Sequence, residues 1–161
     1  MKKVLVFGTF DILHPGHKYF LKQAKEQAGY SEAGYLVIVV ARDLTVKQVK
    51  HEFPVNNETE RLLQVQKLEY VDKAMLGSTD IDKYKIIEEV NPDIICLGYD
   101  QKAFIDELPA ELDKRGLKPE IVRINAYKPE KHKSSRYNNK IKNFELSEQT
   151  KRNINKRKDK Y

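Results

Sequence analysis

Two histidines three residues apart, His14 and His17, follow a short apolar segment near the start of the chain. Imidazole rings can bind metal ions, donate hydrogen bonds to phosphate or transfer protons. Zinc would need a third and a fourth ligand, and the chain has one cysteine, Cys96, and only two other histidines, His51 and His132. The spacing alone leaves three interpretations open: a metal site, a phosphate-binding pair, and two partly exposed surface residues.

The residues around the two histidines favour phosphate binding. Val4–Phe7 is a short apolar run that predicts a buried strand, and it ends at the turn Gly8-Thr9-Phe10-Asp11. Glycine at the first position of this turn allows the backbone to approach a ligand closely. Pro15 has a φ angle suited to a first helical turn, which predicts a helix that starts near Pro15 or Gly16. Both histidines would then lie at the positive end of a helix, a favourable place for an anion.

Strand and helix patterns alternate along the whole chain. Apolar segments predict strands near residues 4–7, 35–40, 71–76, 94–97 and 121–124, and the segment over 35–40 is continuously apolar. Amphipathic spacing and capping residues predict helices near 17–28, 57–70, 81–90, 103–115 and 134–144, with a lysine-rich loop over 41–54. The alternation predicts an α/β fold: one Rossmann-like domain over residues 1–146 that has a five-stranded parallel sheet with helices on both faces, followed by a basic tail over residues 147–161.

The polar segments follow the predicted strands. They cover residues 8–17, 41–50, 98–101 and 125–136, and each begins where a strand ends. Parallel sheets bind ligands at the carboxyl ends of their strands, where the strand order reverses. We therefore expect these four segments to form one site.

The composition is that of a soluble globular protein, with 40% hydrophobic and 34% charged residues among 161. No apolar run approaches the roughly 20 residues that span a bilayer, and a single cysteine fits a reducing cytoplasm, so we expect a cytoplasmic protein that does not enter membranes. The net charge of +6 is uneven, because residues 131–161 carry +8 and residues 1–130 carry −2. Nucleic-acid binding is therefore expected at most through the basic tail.

The chain has no Gly-x-Ser-x-Gly motif and no Walker lysine loop. The four polar segments offer imidazoles, backbone N–H groups, lysines and arginines instead. Such groups bring anions together and stabilise the charge on a transferring phosphoryl group. They suit nucleotidyl transfer to a phosphate, a nucleophile that is already ionised at neutral pH and needs no general base.

Over residues 1 to about 140 the chain resembles the cytidylyltransferase-like branch of the His-x-Gly-His nucleotidyltransferase superfamily, and within it the archaeal FAD synthases most of all. The resemblance rests on Gly8-Thr9-Phe10-Asp11 with His14 and His17, Val39-Val40-Ala41-Arg42-Asp43 with Lys47 and Lys50, Arg61, Tyr70-Val71-Asp72-Lys73, Leu97-Gly98-Tyr99-Asp100-Gln101, and Ser134-Ser135-Arg136. It implies that a phosphomonoester attacks the α-phosphate of a nucleoside triphosphate, with Mg²⁺ present and pyrophosphate released. The expected reaction transfers AMP from ATP to FMN. The alternatives are a cytidylyltransferase that uses CTP and a small phosphomonoester such as glycerol 3-phosphate, and a non-catalytic nucleotide- or RNA-binding module.

The resemblance also implies a role for each matching residue. His14, His17 and Lys47 are expected to be catalytic, and no residue is expected to bind a metal directly. The acceptor is expected to contact Asp11, Arg42, Lys50 and Arg61. The nucleotide is expected to contact Gly8, Thr9, Phe10, His14, His17, Gly98, Tyr99, Asp100, Ser134, Ser135 and Arg136.

Several of these residues also have an ordinary structural interpretation. Asp11 can be a turn or capping carboxylate, Arg42 can pair with Asp43, and Arg61 can form a surface ion pair. Serines at a helix start, such as those at 134–135, are commonly caps. Cytidylyltransferases usually have an isoleucine and threonines where this chain has Lys133-Ser134-Ser135-Arg136, which counts against CTP. Relatives of this kind often form dimers, so a homodimer is one of the states in which this chain could occur.

Overall fold

In the computed structural model, which describes residues 1–29 and 33–127, five strands form one parallel sheet. Their order across the sheet is β3-β2-β1-β4-β5. The strands are β1 (Lys2–Gly8), β2 (Gly34–Val40), β3 (Lys73–Leu76), β4 (Ile94–Leu97) and β5 (Glu120–Arg123). The predicted Rossmann-like α/β architecture is confirmed.

Helices cover both faces of the sheet. They are α1 (Pro15–Ala28), α2 (Asp43–Lys50), α3 (Glu58–Gln66), α4 (Lys85–Val90) and α5 (Leu108–Lys114). Side chains of β1 alternate between two apolar cores: Val4 and Val6 pack with residues of α1 and α3, while Leu5 packs with residues of α4 and α5. This alternation follows from the two-residue period of a strand. No helix in the described ranges is long and apolar enough to cross a membrane.

The start of α1 agrees with the prediction from Pro15. Pro15 occupies the first turn of the helix, and His14 is the N-cap residue, whose side chain accepts a hydrogen bond from the Gly16 N–H. Gly29 ends the helix with φ of +95°, a conformation that glycine adopts without steric cost. The helix therefore fixes the backbone that carries both histidines.

The segment between β2 and α3 was predicted to be a loop, and this prediction is wrong. Residues Asp43–Lys50 form α2, whose Val46 is buried. The lysines of this segment suggest a solvated loop, but lysine is a good helix former, and the burial of one apolar residue against the domain stabilises the helix. Beyond α2, the 51–57 loop leads to α3, which Asn57 caps in a capping box with Glu60.

Helices α4 and α5 start later than predicted. Residues 81–84 precede α4, and residues 103–107 form turns before α5. Within these turns Phe104 has φ of +66°, which is incompatible with a right-handed helix. Pro109 lies in the first turn of α5, where proline is favoured. The predicted helix over 134–144 and the tail over 147–161 lie outside the described residues.

The strand order places a crevice at the carboxyl edge of the sheet. The chain leaves β1 towards α1 on one face and leaves β4, its neighbour, towards α5 on the other. Adjacent loops that diverge in this way open a space between them. The polar segments after β1, β2 and β4 all border this space.

Candidate functional site

A cavity of about 620 Å³ lies at the carboxyl edge of the sheet. Its volume falls within the range of small-molecule sites, about 300–1,000 Å³. Most of the residues expected to contact substrates line it: Gly8, Thr9, Phe10, Asp11, His14, His17, Arg42, Lys50, Gly98, Tyr99 and Asp100. Lys47 and Arg61 do not line it, and Ser134, Ser135 and Arg136 lie outside the described residues.

His14 and His17 stack on one another at the start of α1. Their ring centroids are 3.8 Å apart and their planes differ by 24°. Because His14 Nδ1 accepts a hydrogen bond from the Gly16 N–H at 3.1 Å, a neutral His14 ring carries its proton on Nε2 and donates from that atom. The stack and this backbone hydrogen bond hold the two rings at the positive end of the helix.

Burial strongly affects the ionisation of His17. Its pKa is lowered to about 3, mainly because burial penalises the charged ring and also because His14 lies beside it; a hydrogen bond with the Ile12 backbone partly opposes this shift. His17 is therefore neutral at pH 7. A neutral imidazole has a single N–H group, so His17 donates to a phosphate oxygen only when that group turns from the Ile12 backbone to the ligand.

Phe10 packs directly over Gly8 and braces His17. Phe10 is buried, and its ring lies edge-on to His17 with centroids 5.5 Å apart. A Cβ added at Gly8 would be 2.5 Å from Cζ of Phe10, so only glycine fits beneath this ring. Phe10 has φ of +51°, and strained backbone of this kind often occurs at functional sites.

The Asp11 carboxylate holds the 51–57 loop. Its Oδ2 accepts from the Val55 N–H at 2.9 Å and its Oδ1 from the Asn56 N–H at 2.8 Å, while the Asn56 side-chain amide donates back to the Asp11 carbonyl. Asp11 is 3% exposed. The geometry corresponds to the structural interpretation of Asp11 more closely than to a contact with an acceptor.

Arg61 lies beneath the site, buried from solvent. Its side chain is 0% exposed and donates to three acceptors: the Thr9 carbonyl at 2.8 Å, the Asn56 carbonyl at 3.1 Å and the Asp43 carboxylate at 2.9 Å. It therefore joins the turn after β1 to the 51–57 loop and to the start of α2. In this position Arg61 can position the site but does not reach the cavity, contrary to the expected acceptor contact.

The other cations near α2 differ in their access to the cavity. Arg42 donates to the Gly77 carbonyl at 2.8 Å and pairs with Glu58 at 3.3 Å; the predicted alternative, a salt bridge with Asp43, is not formed. Lys47 donates to the His51 carbonyl and lies outside the cavity lining. The exposed Lys50 does line the cavity. Of the two lysines, Lys50 is therefore the better placed to contact a phosphate.

The segment after β4 forms another wall of the cavity. The Gly98 N–H donates to the Gln101 side chain at 3.2 Å, and Arg123 donates to the Gly98 carbonyl at 2.6 Å. These bonds fix the turn that presents Tyr99 and Asp100, both exposed. Burial and the Asp100 carboxylate, which is hydrogen-bonded to the ring hydroxyl, raise the pKa of Tyr99, so this hydroxyl remains protonated at neutral pH.

The sequence prediction did not single out the aromatic residues Tyr84 and Phe104, which also line the cavity. Both fell inside predicted helices, where an aromatic side chain suggests core packing. The position of Pro109 was the available indication, because a proline in a first helical turn places the start of α5 after Phe104. The aromatic content of the cavity wall therefore emerges only from the fold.

The described residues contain no group of three or more His, Cys, Asp or Glu side chains that could hold a metal ion. The oxygens of Asp11 accept backbone N–H groups, which further limits metal binding there.

Comparison with known proteins identifies the family. The sequence model of the cytidylyltransferase-like family matches residues 5–142. The chain belongs to the cytidylyltransferase-like family. As a member of this family it is a nucleotidyltransferase, in agreement with the prediction from the histidine motif.

Two named relatives and one solved structure match most of the length of this cytidylyltransferase-like protein. A protein named FAD synthase from Methanothermobacter marburgensis is 43% identical over 154 residues, which cover 95% of this chain and 93% of the relative. FAD synthase from Methanobrevibacter smithii is 46% identical over 127 residues, covering 79% and 81%. The crystal structure of the lipopolysaccharide core biosynthesis protein from Thermoplasma volcanium matches with a TM-score of 0.70 and 42% identity, and the match covers 79% of this chain and 98% of that one.

Proposed function

We propose that the protein is an FMN adenylyltransferase, which transfers AMP from ATP to FMN and releases pyrophosphate. The observation that carries the proposal is a cavity in which stacked histidines at a helix N-terminus face aromatic walls. It offers a phosphate-binding end and an apolar end, as a nucleotide and a flavin phosphate require. The relatives named FAD synthase, at 43% and 46% identity, support the choice of acceptor.

The reaction needs no proton transfer by the protein. An oxygen of the FMN phosphate attacks the α-phosphorus of ATP, a new P–O bond forms, and the bond to the bridging oxygen breaks so that pyrophosphate leaves with the electron pair. The barrier lies in the approach of two anions and in the charge that develops on the transferring phosphorus and the leaving group. The work of the protein is to position both substrates and to stabilise that charge.

The residues at the start of α1 are suited to this task. His14 and His17 can donate ring N–H hydrogen bonds to the triphosphate, and the N-terminus of α1 adds the positive end of its dipole. The backbone of the turn that contains Thr9 lies at the same end of the cavity, and the Arg61 guanidinium donates a hydrogen bond to its Thr9 carbonyl. Arg42 and Lys50 border the cavity on the α2 side, where they can neutralise the acceptor phosphate.

A divalent cation, which we propose is Mg²⁺, accompanies the triphosphate. It would supply positive charge that offsets the charge of the triphosphate. The chain presents ammonium, guanidinium and backbone N–H groups at this place, which are donors suited to phosphate oxygens. The protein thus recognises the phosphates and leaves cation binding to them.

A pyrophosphate-release assay tests the proposal. The purified protein is incubated with Mg²⁺ and either ATP or CTP, together with FMN, glycerol 3-phosphate or a sugar phosphate. Release only with ATP and FMN, with FAD as the product, supports the proposal. Activity only with CTP and glycerol phosphate would identify a cytidylyltransferase, and nucleotide binding without turnover would identify a non-catalytic module.

Replacement of one histidine tests the assignment of the site. His17→Ala should lower kcat about 100-fold or more, as expected for loss of a preorganised hydrogen-bond donor to developing charge. His51→Asn is the matched control, because His51 lies outside the cavity lining and asparagine tolerates its φ of +62°. Full activity of His17→Ala would refute the assigned role.

A further inference from the structure

The cavity has an aromatic wall that the phosphate chemistry does not use. Phe104 and Tyr84 line it, with Ile87 and Leu108 of the α4 and α5 face beside them. The two histidines stand at the start of α1, which covers the opposite face of the sheet. The aromatic wall and the phosphate end therefore lie on opposite sides of the carboxyl edge.

Phe104 is held in an unfavourable backbone conformation and exposed to the cavity. Its φ is +66° and 43% of its surface is exposed. A left-handed backbone costs a phenylalanine about 1–2 kcal/mol, and packing in the core does not repay this cost for a residue so exposed. Strain kept without such compensation is an indication of function.

Tyr84 anchors Phe104 and is itself held rigidly. The Tyr84 hydroxyl donates to the Phe104 carbonyl at 2.9 Å, and the two rings meet edge to face with centroids 6.3 Å apart. The guanidinium of Arg115 lies 5.8 Å from the centroid of the Tyr84 ring. Arg115 is in turn paired with Asp82, Glu88 and Glu111. These contacts hold the Phe104 backbone and set its ring against the ring of Tyr84.

We propose that Phe104, positioned by Tyr84, is the stacking platform for the isoalloxazine ring of the acceptor. The inference rests on the proposed function and adds to it a specificity-determining residue. A planar three-ring system gains affinity from an exposed aromatic ring that is already ordered. Lys83, which also lines the cavity and whose ammonium donates to the Ser78 carbonyl at 3.3 Å, supplies a cation near this wall for the carbonyl-bearing edge of the ring.

Binding of FMN without nucleotide provides the first test. FMN is titrated with protein, and quenching of flavin fluorescence gives Kd. Phe104→Ala should raise this Kd about tenfold, as expected for loss of one stacking contact. Phe104→Tyr should restore it to within about twofold, whereas Phe104→Leu should not. Leu63→Ala is the control, because Leu63 is also an exposed apolar residue, 51% exposed, and lies on α3 outside the cavity lining.

Steady-state kinetics provide the second test. In Phe104→Ala the KM for FMN should rise about tenfold while the KM for ATP stays within about twofold, and riboflavin should inhibit the variant about tenfold less well than the wild type. Tyr84→Phe should give a smaller increase of the FMN KM, because the ring remains and only the anchor of Phe104 is lost. A change in the KM for ATP alone would place adenine on this wall and overturn the proposal.

The two proposals fail in different ways. If the wild type makes FAD but Phe104→Ala keeps its affinity for FMN and for riboflavin, the stacking platform is refuted and the activity stands. If the wild type neither binds FMN nor makes FAD, both are refuted. Unfolding curves of each variant establish that the comparison concerns folded protein.

Discussion

The ion pair between Arg61 and Asp43 provides the sharpest test of how the fold supports the site. The side chains are 0% and 4% exposed, and their closest atoms are 2.9 Å apart. Arg61 also donates to the carbonyls of Thr9 and Asn56. One side chain thus satisfies three acceptors, one buried and two partly buried, that belong to three segments of the chain.

Replacement of Arg61 by methionine leaves the Asp43 carboxylate buried without its guanidinium. Removing one partner of a buried pair costs about 3–5 kcal/mol, which is a large part of the 5–15 kcal/mol that stabilises a typical domain. We expect Arg61→Met to lower the free energy of unfolding by about this amount. Arg61→Lys should also be destabilising, since one ammonium cannot reproduce the three-way geometry of the guanidinium.

The double variant separates the ion pair from the other bonds. Asp43→Ala alone leaves the guanidinium buried and should also cost about 3–5 kcal/mol. In the double variant Arg61→Met/Asp43→Ala no uncompensated charge remains. Its destabilisation should therefore be about 1–3 kcal/mol smaller than the sum of the destabilisations of the two single variants. The residual cost comes from the Thr9 and Asn56 carbonyls, about 1–3 kcal/mol each if they stay unsatisfied.

Urea unfolding followed by circular dichroism measures these differences, and the slope of the transition shows whether two-state behaviour is kept. Lys85→Met serves as the control, because Lys85 forms an exposed pair with Asp80 at 3.8 Å, and such pairs contribute at most about 1 kcal/mol. A destabilisation below about 1 kcal/mol for Arg61→Met would refute the view that this ion pair stabilises the segments beneath the cavity. Strictly additive destabilisations of the two single variants would refute it as well.

Two further predictions concern the histidine end of the cavity. The unfolded chain protonates His17 near pH 6.5 whereas the folded chain does so only near pH 3, so the unfolded state binds more protons between these values and stability falls as pH falls. At about pH 4.5 the free energy of unfolding, measured with urea, should be roughly 2–3 kcal/mol lower than at neutral pH. The His17→Ala variant should lack this decrease. Gly8→Ala should cost about 1–3 kcal/mol and lower kcat, because the added methyl displaces Phe10 from its place beside His17. Gly77→Ala, with 3.7 Å of clearance, should change stability by less than about 0.5 kcal/mol, and an equal cost in both variants would contradict the argument from packing.

The sequence by itself determined the strands, their parallel arrangement and the phosphate-binding end of the site. β1 and β4 are short apolar runs that end at glycine, and the pattern Gly8-Thr9-Phe10-Asp11 with His14 and His17 is local in the chain. Local signals of this kind depend on neighbouring residues, such as Pro15 at the helix start, and do not require knowledge of distant contacts. For the same reason the Asn57 cap of α3 was predictable.

The tertiary structure decided the roles of residues whose partners are distant in the chain. Arg61 reaches Thr9 across 52 positions and Asp11 reaches Val55 across 44, so their burial and their hydrogen bonds could not be inferred from spacing. Phe104 and Tyr84 come together only because α4 and α5 cover the same face of the sheet. A local pattern can specify the kind of chemistry, but only the packing of the sheet and helices determines which side chains reach the cavity and which support it from beneath.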